Sequence, residues 1–93
     1  MTFEKIVIEI RRIHYIATNK DSDVHIVYKG TSHGITRPWN IKIDTKEADG
    51  TNELEAALNL FDLVKKDLSD RIKFMENQAA SWKKELNNTS QNN

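Results

Sequence analysis

The stretch FEKIVIEIRRIHYIA, Phe3–Ala17, decides the fold. It contains no Gly, Pro, Asn or Asp, so it reads as one uninterrupted element. Wound as a helix, it gathers Phe3, Ile6, Val7, Ile10, Ile13 and His14 on one side and leaves Ile8, Tyr15 and Ile16 off it. Extended as a strand, its β-branched run IVIEI continues directly into the segment that follows. β-Branching favours the strand, although face parity then demands a bulge near Arg11 and Arg12. The preferred expectation is therefore a long bent first strand, with an N-terminal helix as the alternative.

Working outward, RIHYIAT and DVHIVYK flank the turn-rich tetrapeptide NKDS, which reads as a hairpin. Pairing Thr18 with Asp23 puts Ile13, Tyr15, Ala17, Val24, Ile26 and Tyr28 on one apolar face. A third strand, WNIKIDT, alternates Trp39, Ile41 and Ile43 against Asn40, Lys42 and Asp44. Three such strands form an antiparallel meander with one buried face and one wet face.

Beyond Gly50 the composition shifts to Leu, Ala, Lys, Glu and Asp, the helix formers. Asn52 and Glu55 make a variant capping box, and neither Gly nor Pro follows before Leu86. Leu54, Leu58, Phe61, Lys65, Leu68, Ile72, Met75, Ala79, Trp82 and Leu86 recur in alternating steps of four and three. That is a heptad seam with Lys65 as its lone charged member. Ala56, Ala57, Leu60, Leu63 and Val64 lie beside the seam, so the first half of the helix is apolar on most sides. The expected fold class is α+β: a three-stranded antiparallel meander over residues 1–50, a long helix over 51–86, and a disordered polar tail, NNTSQNN, over 87–93.

Length sharpens the reading. About 35 helical residues reach roughly 50 Å, whereas strands of about eight residues reach roughly 26 Å. The helix overruns its sheet. Either Leu68, Ile72, Met75, Ala79, Trp82 and Leu86 pair with a second copy, or the helix breaks near NQAAS, residues 77–81, and folds back. The good helix formers Ala79 and Ala80 favour the first, a homo-oligomer and most simply a dimer. A parallel pair would set Arg71 near the other copy's Glu76.

The run GTSHGITRPW, residues 30–39, holds the chemistry a recognition tip would use: His33 as a switchable charge and Arg37 as a planar donor fork. As a plain connection, Gly30 and Gly34 turn the chain and Trp39 enters the core in phase with Ile41 and Ile43. Arg11, Arg12, Lys29 and Lys42 form a candidate basic patch for nucleic acid. Tyr15 and Tyr28, which could stack bases, fall on the core face in this register.

Catalytic signatures are missing from the sequence. Ser32 and His33 are adjacent and diverge on an extended backbone. His14 and His25, even with Asp23, make a poor zinc set. The acidic run DTKEADG fails the calcium-loop template, because the twelfth place is Ala56. The glycines lack P-loop spacing. There is no Cys in the 93 residues, which excludes disulfides and thiolate sites. Charges balance at 14 basic and 14 acidic groups, so no basic excess marks a nucleic-acid binder. No run approaches the roughly 20 apolar residues of a membrane span, and the N-terminus lacks a signal-peptide pattern. These features lead to the expectation of a small, cytosolic, non-enzymatic protein without cofactor or metal, self-associating and bound to a larger protein. The Ile, Lys and Asn content suits an accessory or inhibitor protein of a low-GC bacterium or its phage. A dimeric nucleic-acid-binding module is the alternative.

Overall fold

The computed structural model describes residues 1–30 and 32–91, with side chains as far as Thr89. Thr31 of the loop and the last residues of the polar tail lie outside that set. The chain is α+β. A helix α1, Phe3–Thr18, precedes strands β1, Val24–Tyr28, β2, Trp39–Ile43, and β3, Lys46–Gly50, and helix α2, Glu53–Gln91, closes the chain.

Residues 3–18 form the helix rather than the long bent strand. Thr2 caps it, its Oγ1 accepting from the Lys5 N–H at 3.3 Å. Ile6, Ile10 and His14 then stack on one side and bury completely. Burial of this stripe outweighs the slight helix penalty of β-branched Ile, which amounts to a fraction of a kcal/mol per residue. Asn19 ends the helix in the left-handed conformation, φ 58°, with its N–H bonded to the Tyr15 carbonyl at 2.7 Å. The expected pairing of Thr18 with Asp23 is therefore lost. Thr18 instead donates its hydroxyl to the His14 carbonyl, and Tyr15 is exposed rather than in the core.

The meander survives with a different third member. Strand order is β1-β2-β3, antiparallel throughout. The registers Ile26↔Ile41 and Ile41↔Ala48 fix which residues share a face. The acidic run DTKEADG, which carries no strand pattern in the sequence, supplies β3, which turns back after Asp44 and Thr45. Asp44 adopts φ 54° there, a conformation that Asp tolerates better than most residues. β3 carries no β-branched residue, so its extended form comes from pairing and from packing against α2.

Both helices cover the same face of the sheet. Ala56, Ala57, Leu60 and Val64 of α2 join Ile6 and Ile10 of α1 and Ile41 and Ile43 of β2 in a fully buried core. Phe3, Ile13, Val24, Trp39, Ala48 and Phe61 close its margins. Trp39 is thus partly buried against the core, in phase as expected. Tyr28 lies against its ring, 4.9 Å between centroids, yet stays half exposed.

The α2 cap is the expected one: Asn52 Oδ1 accepts from the Glu55 N–H at 2.8 Å, and Thr51 donates to the Glu55 carboxylate. The helix then runs unbroken through residues 77–81, so the fold-back alternative fails. It also continues through residues 87–91, assigned to the tail from sequence, where Thr89 donates to the Glu85 carbonyl. Its 39 residues reach about 58 Å, and the molecule measures 70 × 26 × 20 Å. Five-residue strands reach only about 17 Å. The overrun is larger than the sequence indicated, because the strands are shorter and the helix longer.

Gly50 is buried where β3 meets α2, and a Cβ there would strike the backbone of Ala56 and the Asn52 carbonyl. Gly50→Ala should cost about 1–3 kcal/mol, as overpacking does. Chemical denaturation against the wild type measures it.

Candidate functional site

The apolar positions of α2 divide into two rows. Ala56, Ala57, Leu60 and Val64 point into the core and are fully buried. The heptad seam runs beside them and stays open: Leu54 and Leu58 are exposed near the start, and Phe61 is half covered. Lys65 reaches back over Phe61, its ammonium 4.5 Å from the ring centroid, which accounts for a charge within the seam. Past Val64 no α2 residue is buried among those described. Ile72, Met75, Trp82 and Leu86 are 50, 55, 61 and 66% exposed.

The end of α1 adds to this seam. Ile16 and Ala17 join Leu68, Ile72, Met75, Ala79 and Trp82 around an open hollow of about 490 Å³. Arg71 and Glu76 rim it, and Arg71 is held by Asp67 one turn back, Nε to Oδ2 3.2 Å. The six self-association residues expected from sequence lie along one helix, and five of them, all but Leu86, line this hollow. The strand reading of the sequence does not bring Ile16 and Ala17 here, because it pairs them within the meander. The available signal was Ile16 standing one step outside the helical stripe.

The other expected residues fall elsewhere. His33 and Arg37 are exposed on the loop between β1 and β2. Arg37 approaches Glu55 at the start of α2, 3.9 Å, and Gly30 and Gly34 turn the loop at φ 85° and 81°. The basic patch does not assemble. Arg11 and Arg12 ride on α1, whereas Lys42 lies on the sheet face opposite the helices. Arg11 contacts Asp21 at 3.3 Å and Asp23 at 3.7 Å, Arg12 chelates Glu9 at 2.6 and 3.1 Å, and Lys29 meets Asp49 at 3.0 Å. Hydrogen bonds from Asn40 and Lys29 hold the Asp49 carboxyl below its usual range. His14 and His25 lie on opposite sides of the sheet, and no three metal-ligating side chains converge among the described residues.

His14 is the unexpected polar group. It is fully buried, and neither ring nitrogen has a hydrogen-bond partner among the described residues. Asp44 Oδ2 stands 3.7 Å from Nε2. Beyond it Asp67 accepts from Arg71 and ion-pairs with Lys46 at 3.3 Å. Burial, and then the charge of Lys46, push the His14 pKa down against the opposing pull of Asp44 and Asp67, with Arg71 adding to the lowering. For Asp67 itself, burial raises the pKa, but the bonds from Arg71 and Lys46 outweigh it.

Comparison of the chain with protein-family models, with curated proteins and with solved structures gives no match. No helix among the described residues is long and apolar enough to cross a membrane.

His14 gives a prediction with a defined sign. Its folded pKa lies below the unfolded value of about 6.5, so the unfolded chain binds the extra proton first. Stability is complete above about 6.5 and is lost as pH falls below it. The depressed carboxylates of Asp49 and Asp67 act lower, below about 4. Urea midpoints should therefore fall between about pH 6.5 and 4.5, and His14→Leu should flatten that part of the profile.

Proposed function

We propose that this chain is a non-enzymatic interaction protein that self-associates through the outer half of α2 and acts by occupying the surface of a larger protein. One observation carries the first part: Leu68, Ile72, Met75, Ala79, Trp82 and Leu86 extend an apolar seam past the last buried residue of α2. Large apolar side chains in a continuous row favour burial against another surface, and the steps of four and three favour another helix. A second copy offers a matching seam with no further component, and a dimer is the simplest closed form.

Partner binding is supported by the exposed His33 and Arg37 at the loop between β1 and β2, and by a small chain in which no three metal-ligating side chains converge among the described residues. Such a protein works stoichiometrically, as an accessory or inhibitor of the kind that phage and mobile elements encode. Pairing of Arg11, Arg12 and Lys29 with carboxylates speaks against the nucleic-acid reading.

Sedimentation equilibrium of the wild type should show reversible dimerisation. Met75→Asp with Trp82→Ser should weaken it by at least about a hundredfold, since two apolar contacts of roughly 1.5–3 kcal/mol are lost per chain. A double variant that associates as tightly as the wild type would rule out the seam.

A further inference from the structure

Among the described residues nothing pairs with one edge of the sheet. β1 pairs only with β2. The Lys29 N–H bonds to the Pro38 carbonyl at 2.7 Å. Antiparallel pairing alternates, so Val27 and His25 also turn their N–H and C=O groups toward β2. Val24, Ile26 and Tyr28 then turn theirs outward. Among the described residues no other segment bonds to those backbone groups. The other edge differs in kind. β3 reads KEADG and carries three charged groups, a common protection of sheet edges. β1 reads VHIVY, with no Asp, Glu, Lys, Arg or Pro, and leaves Ile26 and Tyr28 42 and 53% exposed.

We propose that β1 is a second self-association surface, pairing antiparallel with β1 of another copy around a two-fold axis at Ile26. The register follows from the residues. Only even-numbered positions present backbone groups to the edge, so the two-fold falls on a β1 residue. At Ile26 the pairs are Ile26 with Ile26, Val24 with Tyr28 and Tyr28 with Val24, giving about six new backbone hydrogen bonds. A two-fold at His25 or Val27 gives about four. The same register sets Asp23 opposite Lys29 of the other copy, twice over. Lys29 meets Asp49 and Asp23 meets Arg11 within the chain, yet the two side chains stay 41 and 79% exposed and open to a second partner. Opposite charges across strands stabilise pairing and like charges oppose it. On the helix-covered face, Ile26 and Tyr28 gain apolar neighbours from Ile26 and Val24 of the second molecule. This surface is independent of the α2 seam. With both in use, the three-stranded sheets join into one of six strands, and dimers joined by either surface can link through the other.

The test uses the full chain carrying Met75→Asp and Trp82→Ser, which silences the seam. Amide hydrogen exchange is followed residue by residue as concentration rises. The Ile26, Val24 and Tyr28 amides should slow at least about tenfold on association, while His25 and Val27, already bonded to β2, serve as the internal reference. Asp23→Lys and Lys29→Glu, each added separately, should weaken association by roughly tenfold. An equal mixture of the two should restore it, because only the mixed pair sets opposite charges at both ends. Circular dichroism melts establish that each variant folds. Ile26 exchange that is independent of concentration overturns the proposal, as does a mixture that associates no better than its components. Slowing that appears only when a foreign polypeptide is added assigns the edge to a partner strand and overturns pairing between copies.

Discussion

Ala56, Ala57, Leu60 and Val64 close against Ile6, Ile10, Ile41 and Ile43 without access to water. This contact holds α1 and α2 to one face of a small sheet. The two alanines, with Gly50 beneath, let the α2 backbone approach β3 closely. It also fixes the rotation of α2. Once those four residues point inward, the seam one step round the helix cannot. Leu54, Leu58, Ile72, Met75, Trp82 and Leu86 are left facing outward by the same packing that makes the core. The open surface is thus a geometric consequence of the fold, and the length of α2 carries it beyond anything the domain could cover.

The α2 helix was legible because its signals agree: an Asn52–Glu55 cap, strong helix formers, and a period sustained over many turns. Trp39, Ile41 and Ile43 were legible from strict alternation. Phe3–Ala17 was not, because local and tertiary preferences conflict there. β-Branched Ile favours extension, while the spacing of Ile6, Ile10 and His14 favours a helix, and burial against α2 decides between them. Once that segment is a helix, the place in the meander passes to KEADG, whose residues carry almost no strand propensity of their own. The placement of the seam residues does not depend on that choice, since they lie on α2 alone. The basic patch does, since it needs Arg11 and Arg12 on the sheet.

His14 shows what the strand reading concealed. As a strand residue it would sit on the wet face. As a helix residue it enters the interior between Asp44 on the β2–β3 turn and the Lys46, Asp67 and Arg71 group. A buried imidazole with unbonded nitrogens is tolerated when neutral and costly when charged, so the junction of both helices with the sheet tightens above the histidine range. The open hollow lies one turn further along α1, where Ile16 and Ala17 line it together with Leu68.

The central claim is that a second molecule covers the seam, and Trp82 reports on it directly. With Trp39→Phe, Trp82 is the single tryptophan of a chain that has two. In a lone molecule its ring is mostly in water, 61% exposed. Fluorescence across a wide concentration range, read together with sedimentation, follows its surroundings. The account predicts a shift to shorter wavelength and protection from iodide quenching as the chain associates. Long-wavelength, freely quenched emission at every concentration, from a chain that sediments as a monomer, would contradict it.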